Sequence, residues 1–354
     1  MMLAPHRWRP LLFTFASAVS LPGCGGESDT PSSIDPPASE TPNDVNASLP
    51  LGTLIEREAC DALPEGTCRV FTVECSGSGA INVALRLTPP SIGPRRATVL
   101  FASGSAGITP YFGVSEQEEP VAWTIGDRLR ASGYATLERV WLDPTGGWFG
   151  AEADSLLSAG CRLATVVEQV RSELPPSEPL CAVGSSAGSL ELSLLMGPYE
   201  GSKHLDHVTY VSGPLGRVDL GCSGTWNCAG ALTEFPPTCS PPECAIGQLS
   251  SAIELLYGTG TCGADSAALD LLRDHSPSSA LSSATGTPAD FIWGADDCLG
   301  IAVSGRAYAE ELNVMGGEVQ RMVLSGVGHE VHRTPAGADA IVQRVQDGCV
   351  RSPP

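Results

Sequence analysis

The sequence predicts an α/β fold in which a mainly parallel sheet carries helices on both of its faces. Three observations indicate this class. Apolar runs typical of strands alternate along the chain with segments of helical periodicity. Several of these runs are continuously apolar, as in strands that are covered on both faces. A Gly-Ser-Ser-Ala-Gly turn at 184–188 connects one such run directly to a helical segment.

The first half of the chain contains five predicted strands and two predicted helices. Two segments alternate between apolar and polar residues around a Gly-Ser-Gly turn at 77–79, which predicts an antiparallel pair. The longer helix ends before Pro175, because proline cannot continue it. The strands are 69–75, 80–87, 97–102, 134–142 and the run that begins at Leu180, and the helices are 121–131 and 151–174.

The second half continues the alternation after an irregular stretch. Residues 213–286 are rich in Cys, Pro and Gly, with helical pieces only at 253–257 and 267–273. This stretch is predicted to be an insertion that packs over one edge of the sheet. The remaining strands are 208–211, 291–293 and 319–324, and the remaining helices are 302–312 and 336–345.

Composition excludes one class of partner. The 354 residues carry a formal net charge of −20, and no basic cluster occurs beyond the extreme amino terminus. A nucleic-acid-binding surface needs a basic face, so we expect no nucleic-acid partner. The hydrophobic content of 42% is sufficient for a substantial core.

The amino terminus is predicted to be an export signal. Basic residues precede a short apolar run at 11–21 that could not span a bilayer. Leu21-Pro22-Gly23-Cys24 then resembles the bacterial lipobox, although Pro22 departs from its usual small or aliphatic residue. Residues 1–24 are therefore interpreted as a signal peptide whose Cys24 is lipidated. A simply secreted protein is the alternative.

Residues 25–50 are predicted to be a disordered tether, since they contain almost no large apolar residue. Residues 51–354 would then form the folded domain. This organisation predicts an exported protein that is lipid-anchored to a bacterial membrane, facing the periplasm or the exterior, with no other membrane contact.

The chain has 13 cysteines, and reserving Cys24 leaves an even twelve. An even count in an exported chain predicts disulfides. Cys222 with Cys228, and Cys239 with Cys244, are near enough to close small loops. Cys181 lies in a predicted core strand, where a buried thiol is the alternative to a disulfide. Zinc is disfavoured because no CxxC pair is present.

Ser186 is the predicted nucleophile. A strand that reverses directly into a helix crowds the residue between them, and Gly184 and Gly188 supply the space. The strain lifts the Ser186 hydroxyl out of the turn. A Gly-rich turn with a merely solvated serine is the alternative interpretation.

The predicted base is His329, one of six histidines in the chain. It lies in a Gly-rich loop directly after the last predicted strand, and His332 is the second candidate. The orienting acid is expected after the preceding strand, where Asp297 is preferred to Asp296. Asp219 is a more distant choice.

The oxyanion produced by attack on a carbonyl needs two N–H donors. One is expected to be the amide of Ala187, at the start of the helix after the nucleophile. The other is expected from the small-residue loop at 103–107, with Ser105 chosen because Gly104 allows close approach. Ala106 remains an alternative.

Together these motifs resemble those of the α/β-hydrolases of the serine esterase and lipase type. The Gly-Ser-Ser-Ala-Gly turn, the Gly294-Ala295-Asp296-Asp297 loop and the Gly326-Val327-Gly328-His329 loop occur in the family's order. The resemblance covers residues 69–345 and implies a mostly parallel sheet of eight strands, with residues 213–286 in the place of the lid or cap. The chain departs from the family at Ser103-Gly104, where His-Gly is usual.

The main hypothesis is a cofactor-free serine hydrolase that cleaves a carboxylic ester, whether small or polymeric. Peptide, thioester and polyester hydrolysis use the same machinery. A catalytically inactive binding protein on the same scaffold is the competing hypothesis. His204 with His207, and His329 with His332, are each three residues apart, but neither pair forms HExxH, so no metal site is predicted.

Overall fold

The computed structural model describes residues 49–59, 66–77, 79–143, 147–149, 155–219, 253, 257, 262, 266–297 and 300–349. The predicted signal peptide, Cys24 and nearly all of the predicted tether lie outside these residues, as do residues 220–252 of the predicted insertion. The predicted domain boundaries therefore stay predictions. None of the helices in the described ranges is long and apolar enough to cross a membrane.

A nine-stranded mixed sheet forms the centre of the described structure. Its strands lie in the order β1-β2-β3-β5-β4-β6-β7-β8-β9. β1, β2, β3 and β5 pair antiparallel, and every neighbouring pair from β5 across to β9 is parallel. This confirms the predicted mostly parallel α/β class. The strands are β1 (Thr53–Ala59), β2 (Thr67–Glu74), β3 (Ile81–Thr88), β4 (Ala97–Ala102), β5 (Tyr134–Trp141), β6 (Leu180–Ser185), β7 (His207–Val211), β8 (Ala289–Gly294) and β9 (Val319–Leu324).

β1 is the strand that sequence patterns did not predict, so the expected number of eight was wrong. The eight predicted strands correspond to β2–β9. β1 reads Thr-Leu-Ile-Glu-Arg-Glu-Ala and pairs only with β2 at the edge of the sheet. An edge strand can carry charged residues and expose its side chains, and Glu56 and Arg57 are exposed here. It therefore lacks the apolar run that marked the buried strands.

Seven helices accompany the sheet in the described part of the chain. α2 begins at Leu156 and not at the predicted residue 151, because Ser155 is extended and its Oγ accepts a hydrogen bond from the Ser158 N–H. The helices are α1 (Pro120–Ala131), α2 (Leu156–Glu173), α3 (Ala187–Met196), α4 (Ser266–Asp274), α5 (Leu281–Ala284), α6 (Gly300–Val314) and α7 (Pro335–Gly348). Short 3₁₀ helices span Gly147–Phe149, Gly201–Lys203, Pro277–Ala280 and Val331–Arg333.

The helices cover both faces of the sheet. Successive residues of β6 belong to different apolar clusters, with Ala182 in one and Val183 in the other. The cluster of Ala182 includes residues of α2 and α3, such as Leu192, and the cluster of Val183 includes residues of α1 and α7, such as Ile341. The central strands are buried on both sides for this reason, which accounts for their continuous apolar runs.

Two disulfides connect elements that are distant in sequence. Cys75 after β2 is bonded to Cys161 in α2, and Cys181 in β6 is bonded to Cys349 after α7. The alternative of a free Cys181 thiol is therefore wrong: α7 packs on the sheet so that the two Cα atoms lie 5.9 Å apart. Cys68 and Cys262 are also disulfide-bonded. The predicted small-loop pairs at 222–228 and 239–244 lie outside the described residues.

Candidate active site

The turn between β6 and α3 holds Ser186 in a strained conformation. Ser186 has φ 53° and ψ −116°, a region that side chains rarely adopt. A Cβ atom at Gly184 would lie 2.5 Å from the Gly188 carbonyl oxygen, and one at Gly188 would lie 2.2 Å from the Ala102 carbonyl oxygen. Only glycine fits at these two positions, so the chain can turn sharply and place Ser186 at the carboxyl edge of the sheet.

His329 lies against Ser186. It follows β9 in the loop that precedes Val331–Arg333, and its Nε2 is 2.9 Å from Ser186 Oγ. Its side chain retains 19% of its accessible surface. The imidazole therefore contacts the serine while part of its surface stays accessible to solvent.

Asp297 lies against the opposite nitrogen of the same imidazole. Its Oδ2 is 2.9 Å from His329 Nδ1, and its side chain has no accessible surface. A carboxylate can only accept at this distance, so Nδ1 carries the proton and Nε2 is free to accept from the Ser186 hydroxyl. Asp296 is exposed, so of the two adjacent carboxyls the structure places Asp297 at the imidazole.

The third candidate acid and the second candidate base lie elsewhere. Asp219 forms an ion pair with Arg217. His332 is hydrogen-bonded through Nδ1 to Ser185 Oγ at 3.3 Å and packs beside the Tyr111 ring. Burial lowers the pKa of His332 to about 4, against the opposing effect of the Glu330 carboxylate. His332 is therefore neutral and contacts the serine before Ser186.

Backbone contacts fix the loops of the acid and the histidine against each other. The Asp296 N–H donates to the Val327 carbonyl at 2.8 Å. A Cβ atom at Gly294 would lie 2.1 Å from that same carbonyl oxygen, so glycine is required for this approach. The carboxyl ends of β8 and β9 are thereby held close enough for Asp297 to reach His329.

Ser212 is a supporting residue that sequence reasoning missed. It directly follows β7, has φ 51° and is fully buried. Its hydroxyl donates to the His329 carbonyl oxygen at 2.6 Å, and its N–H donates to the Ile292 carbonyl oxygen at 2.9 Å. The Ser-Gly pair at the end of a predicted strand was the available signal, since small polar residues at strand ends mark sites of close backbone approach.

The loop at 103–107 passes directly beside the serine. A Cβ atom at Gly104 would lie 3.1 Å from Ser186 Cβ. Ser105 is exposed and has φ 54°. Within the described residues, no acceptor satisfies the N–H groups of Ser105, Ala106 or Ala187. Ala187 is the first residue of α3, where the helix dipole favours negative charge. The two elements that carry these N–H groups, the 103–107 loop and α3, both adjoin Ser186.

The remaining histidines show no metal-binding arrangement. His207, the first residue of β7, is buried against Gly348. Its Nε2 contacts Asp290 at 3.1 Å. His275 is hydrogen-bonded to the Tyr257 hydroxyl. Across the described ranges, no group of three or more His, Cys, Asp or Glu residues is arranged to hold a metal ion.

Comparisons with known proteins agree with this architecture. No protein-family model matches the sequence, and no curated protein matches it. Among solved structures, brefeldin A esterase, a bacterial homologue of human hormone-sensitive lipase, is 14% identical, with a TM-score of 0.53 over 88% of this chain and 80% of the esterase. The metagenomic carboxylesterase EstE1 is 16% identical, with a TM-score of 0.53 over 82% of this chain and 91% of that enzyme.

An acylaminoacyl peptidase of Pyrococcus horikoshii is also similar. It is 12% identical, with a TM-score of 0.54 over 82% of this chain and 43% of the peptidase. The chain therefore spans less than half the length of that enzyme. At these identities the three likenesses concern the fold alone. The chain has the α/β-hydrolase fold.

Proposed function

We propose that this protein is a serine hydrolase that cleaves carboxylic esters through an acyl-enzyme. One observation carries the proposal: an unbroken hydrogen-bonded series joins Ser186 Oγ to His329 and His329 to Asp297, with both distances 2.9 Å. A serine hydroxyl is a weak nucleophile near neutrality and needs such a base, and the base needs an orienting carboxylate.

In the proposed acylation step, Ser186 Oγ attacks the ester carbonyl carbon while His329 Nε2 takes the hydroxyl proton. The buried Asp297 carboxylate holds the imidazole tautomer and stabilises the imidazolium that forms. His329 then returns the proton to the leaving alcohol oxygen. In deacylation His329 removes a proton from water as the water oxygen attacks the acyl carbon. The bond from that carbon to Ser186 Oγ then breaks, His329 returns the proton to Oγ, and the carboxylic acid leaves.

The carbonyl oxygen becomes negative in each tetrahedral intermediate. The unsatisfied N–H groups of Ala187 and Ser105 are the proposed donors to it, because both flank the serine and neither has a protein acceptor in the described residues. One missing donor in such a site typically lowers kcat by about 10²- to 10³-fold. This is therefore a major part of the proposed rate enhancement.

Esters are the favoured substrates because two of the structural neighbours with this fold carry the names of esterases. Peptide hydrolysis is the second candidate, supported by the likeness to an acylaminoacyl peptidase. Amides are poorer acyl donors than esters on the same machinery. Parallel assays with 4-nitrophenyl esters and acyl 4-nitroanilides of equal acyl length would separate the two, and a higher kcat/KM on the anilides would favour the peptidase.

The test of the mechanism uses the full chain, a fluorophosphonate probe and 4-nitrophenyl esters of graded acyl length. We expect wild type and a Ser91→Ala control at an exposed loop serine to react with the probe and turn over ester, and Ser186→Ala to do neither. Comparable turnover by Ser186→Ala would reject the nucleophile. A folded wild type that is silent to probe and substrate would support the inactive binding protein instead.

We also propose that the protein is exported and carries lipid on Cys24. Disulfides persist in oxidising compartments, and two lie within the described fold. Metabolic labelling with an alkyne fatty acid in a bacterial host tests the anchor. Label on wild type that is absent from Cys24→Ala is expected, whereas an unlabelled wild type in the culture medium would indicate simple secretion.

A further inference from the structure

A charged pair lies buried directly beneath the candidate site. Arg139 in β5 donates through Nη2 to Glu191 Oε2 in α3, and neither side chain has accessible surface. The indole Nε1 of Trp141 donates to the other carboxylate oxygen at 2.7 Å. Glu191 lies on the helix that begins directly after Ser186. The pair therefore joins β5 to the helix that carries the predicted Ala187 donor.

The same arginine also holds the loop that contains the second predicted donor. Arg139 Nη1 donates to the Gly107 carbonyl oxygen at 3.1 Å, and the Trp141 N–H donates to that oxygen at 2.9 Å. Gly107 has φ 68°, and a Cβ atom there would lie 2.1 Å from Arg139 Nη1. The Gly107 N–H in turn donates to the Gly104 carbonyl at 3.0 Å. Glycine is thus required for the guanidinium to reach this loop.

Stability alone does not account for the pair. Burying two opposite charges costs about as much as their attraction returns, and apolar replacements are often as stable. Burial raises the pKa of Glu191 to about 7 even though Arg139 and Trp141 oppose the shift. Arg139 Nε, moreover, is buried and has no acceptor among the described residues. What the pair supplies is defined geometry, since a planar guanidinium bonds both partners in fixed directions.

The far side of the loop has its own attachment. The Trp148 N–H donates to the Ala106 carbonyl at 3.0 Å, and the Trp148 carbonyl accepts from Arg162 Nη1 at 2.7 Å. Losing the Arg139–Glu191 contact would therefore shift the loop relative to α3 and leave it otherwise folded.

We infer that Arg139 and Glu191 are positioning residues that set the distance between the 103–107 loop and the amino end of α3, so that the Ser105 and Ala187 N–H groups converge on one oxygen atom. This inference rests on the proposed function. According to this inference, the pair stabilises the oxyanion of the tetrahedral intermediate and does not affect substrate binding. A displacement of about 1 Å in such a site can cost about 10²-fold in rate.

The experiment compares three substitutions with one matched control. Glu191→Gln keeps the volume and removes the charge. Arg139→Lys replaces the planar guanidinium by a single ammonium nitrogen, and Trp141→Phe removes the indole N–H donor together with part of the buried ring. The control is Glu138→Gln, which alters another buried pair, between Glu138 and Arg86. The Glu138 carboxylate also accepts from the Phe112 N–H at 3.0 Å. Each variant is assayed for kcat, KM, thermal unfolding and inhibition by a trifluoromethyl ketone, which forms an oxyanion on the serine.

We expect Glu191→Gln and Arg139→Lys to lower kcat by about 10- to 100-fold with KM changed by less than about threefold. The inhibition constant of the ketone is expected to rise by the same factor as kcat/KM falls. Trp141→Phe, the mildest change, is expected to show the same pattern with a smaller factor and serves if the charged variants do not fold. Glu138→Gln is expected to lower the unfolding temperature without the selective loss of ketone affinity.

Three results would overturn the inference, and they are distinguishable. If wild type is active, Ser186→Ala is silent and the pair variants retain wild-type kcat and ketone affinity, the positioning role is wrong and the proposed function stands. The same holds if the loss is matched by Glu138→Gln, which would mean general destabilisation. If folded wild type reacts with neither fluorophosphonate nor ester, the proposed function fails and the inference fails with it.

Discussion

Two serine–histidine pairs lie side by side in this protein, and they differ in distance, in burial and in the backbone conformation of the serine. Ser186 contacts His329 at 2.9 Å, and its neighbour Ser185 contacts His332 at 3.3 Å. Ser185 is still part of β6 and is buried, whereas Ser186 has left the strand with φ 53°. The backbone of the turn therefore separates the two hydroxyls, because Ser185 stays buried in the strand and Ser186 leaves it.

The carboxylates behind the two histidines differ as well. Asp297 is fully buried and lies 2.9 Å from His329 Nδ1. Glu330 lies 3.7 Å from His332 Nε2, and 56% of its side chain is exposed. A screened carboxylate beyond hydrogen-bond distance orients an imidazole weakly. The proposed function therefore assigns the reactive hydroxyl to Ser186 and not to Ser185.

The strongest test of this comparison replaces each serine in turn. Ser186→Ala is expected to lower kcat on 4-nitrophenyl acetate by about 10⁴- to 10⁶-fold, as for other nucleophilic serines with an assisting histidine. Ser185→Ala removes one buried hydrogen bond and is expected to lower kcat by less than about tenfold. Equal losses in the two variants would show that the pairs are not distinct in function.

The next largest effect is expected at the acid. Asp297→Asn leaves the shape of the site intact but favours the wrong imidazole tautomer, so kcat is expected to fall by about 10⁴-fold. Asp296→Asn, the adjacent and exposed control, is expected to change kcat by less than about threefold. Steady-state kinetics at one pH compare the two. A larger loss of kcat in Asp296→Asn would show that the acid is Asp296 and not Asp297.

His332 is expected to make stability depend on pH. Its pKa is about 4 in the folded protein and 6.5 when exposed. Between these values only the unfolded chain takes up the proton, so stability falls as pH decreases from 6.5 to about 4 and the contribution levels off below. The expected loss is about 3 kcal/mol.

His332→Gln is expected to abolish this component of the pH dependence. Urea unfolding of variant and wild type at each pH gives the difference in their free energies of unfolding. The contributions of other titrating groups, such as Glu191 and His204, cancel in this difference. Glu330, Arg333 and His329 act on the imidazole and remain in both proteins. An identical pH profile in the two proteins would contradict the assignment.

The smallest effect is expected at Ser212, which holds the His329 loop from behind. Ser212→Ala removes the hydrogen bond to the His329 carbonyl and is expected to lower the free energy of unfolding by about 1 kcal/mol. We expect kcat to fall by less than about tenfold, because Asp297 still orients the ring. Chemical denaturation and kinetics measure both, and a loss as large as that of Asp297→Asn would make Ser212 a principal support of the site.

The regular elements could be predicted because their signals are local. β4 was bounded correctly from its apolar run alone, since a strand that is buried on both faces must be apolar wherever it lies. β1 could not be predicted in this way, because an edge strand with one neighbour has no such requirement. The start of α2 depended on a capping serine that periodicity does not detect.

The residues of the candidate site also divide into those that local sequence could predict and those that it could not. The turn at Ser186 can be recognised in the sequence, because steric crowding requires a glycine on each side of it within a stretch of five residues. The choice between Asp296 and Asp297 was a preference only, since adjacent residues on a loop have equal access until the loop is fixed. The hydrogen bond from the Asp296 N–H to the Val327 carbonyl and the close approach at Gly294 fix the loop.

The sequence by itself determined the α/β class, the succession of strands and helices, and the positions at which chemistry-bearing residues follow strands. Only the tertiary structure decided the partners: Cys181 with Cys349, His332 with Ser185, and Arg139 with both Glu191 and Gly107. The physical reason is range. Backbone sterics and apolar periodicity act within a few residues, whereas a hydrogen bond or disulfide between distant segments exists only after packing has brought them together.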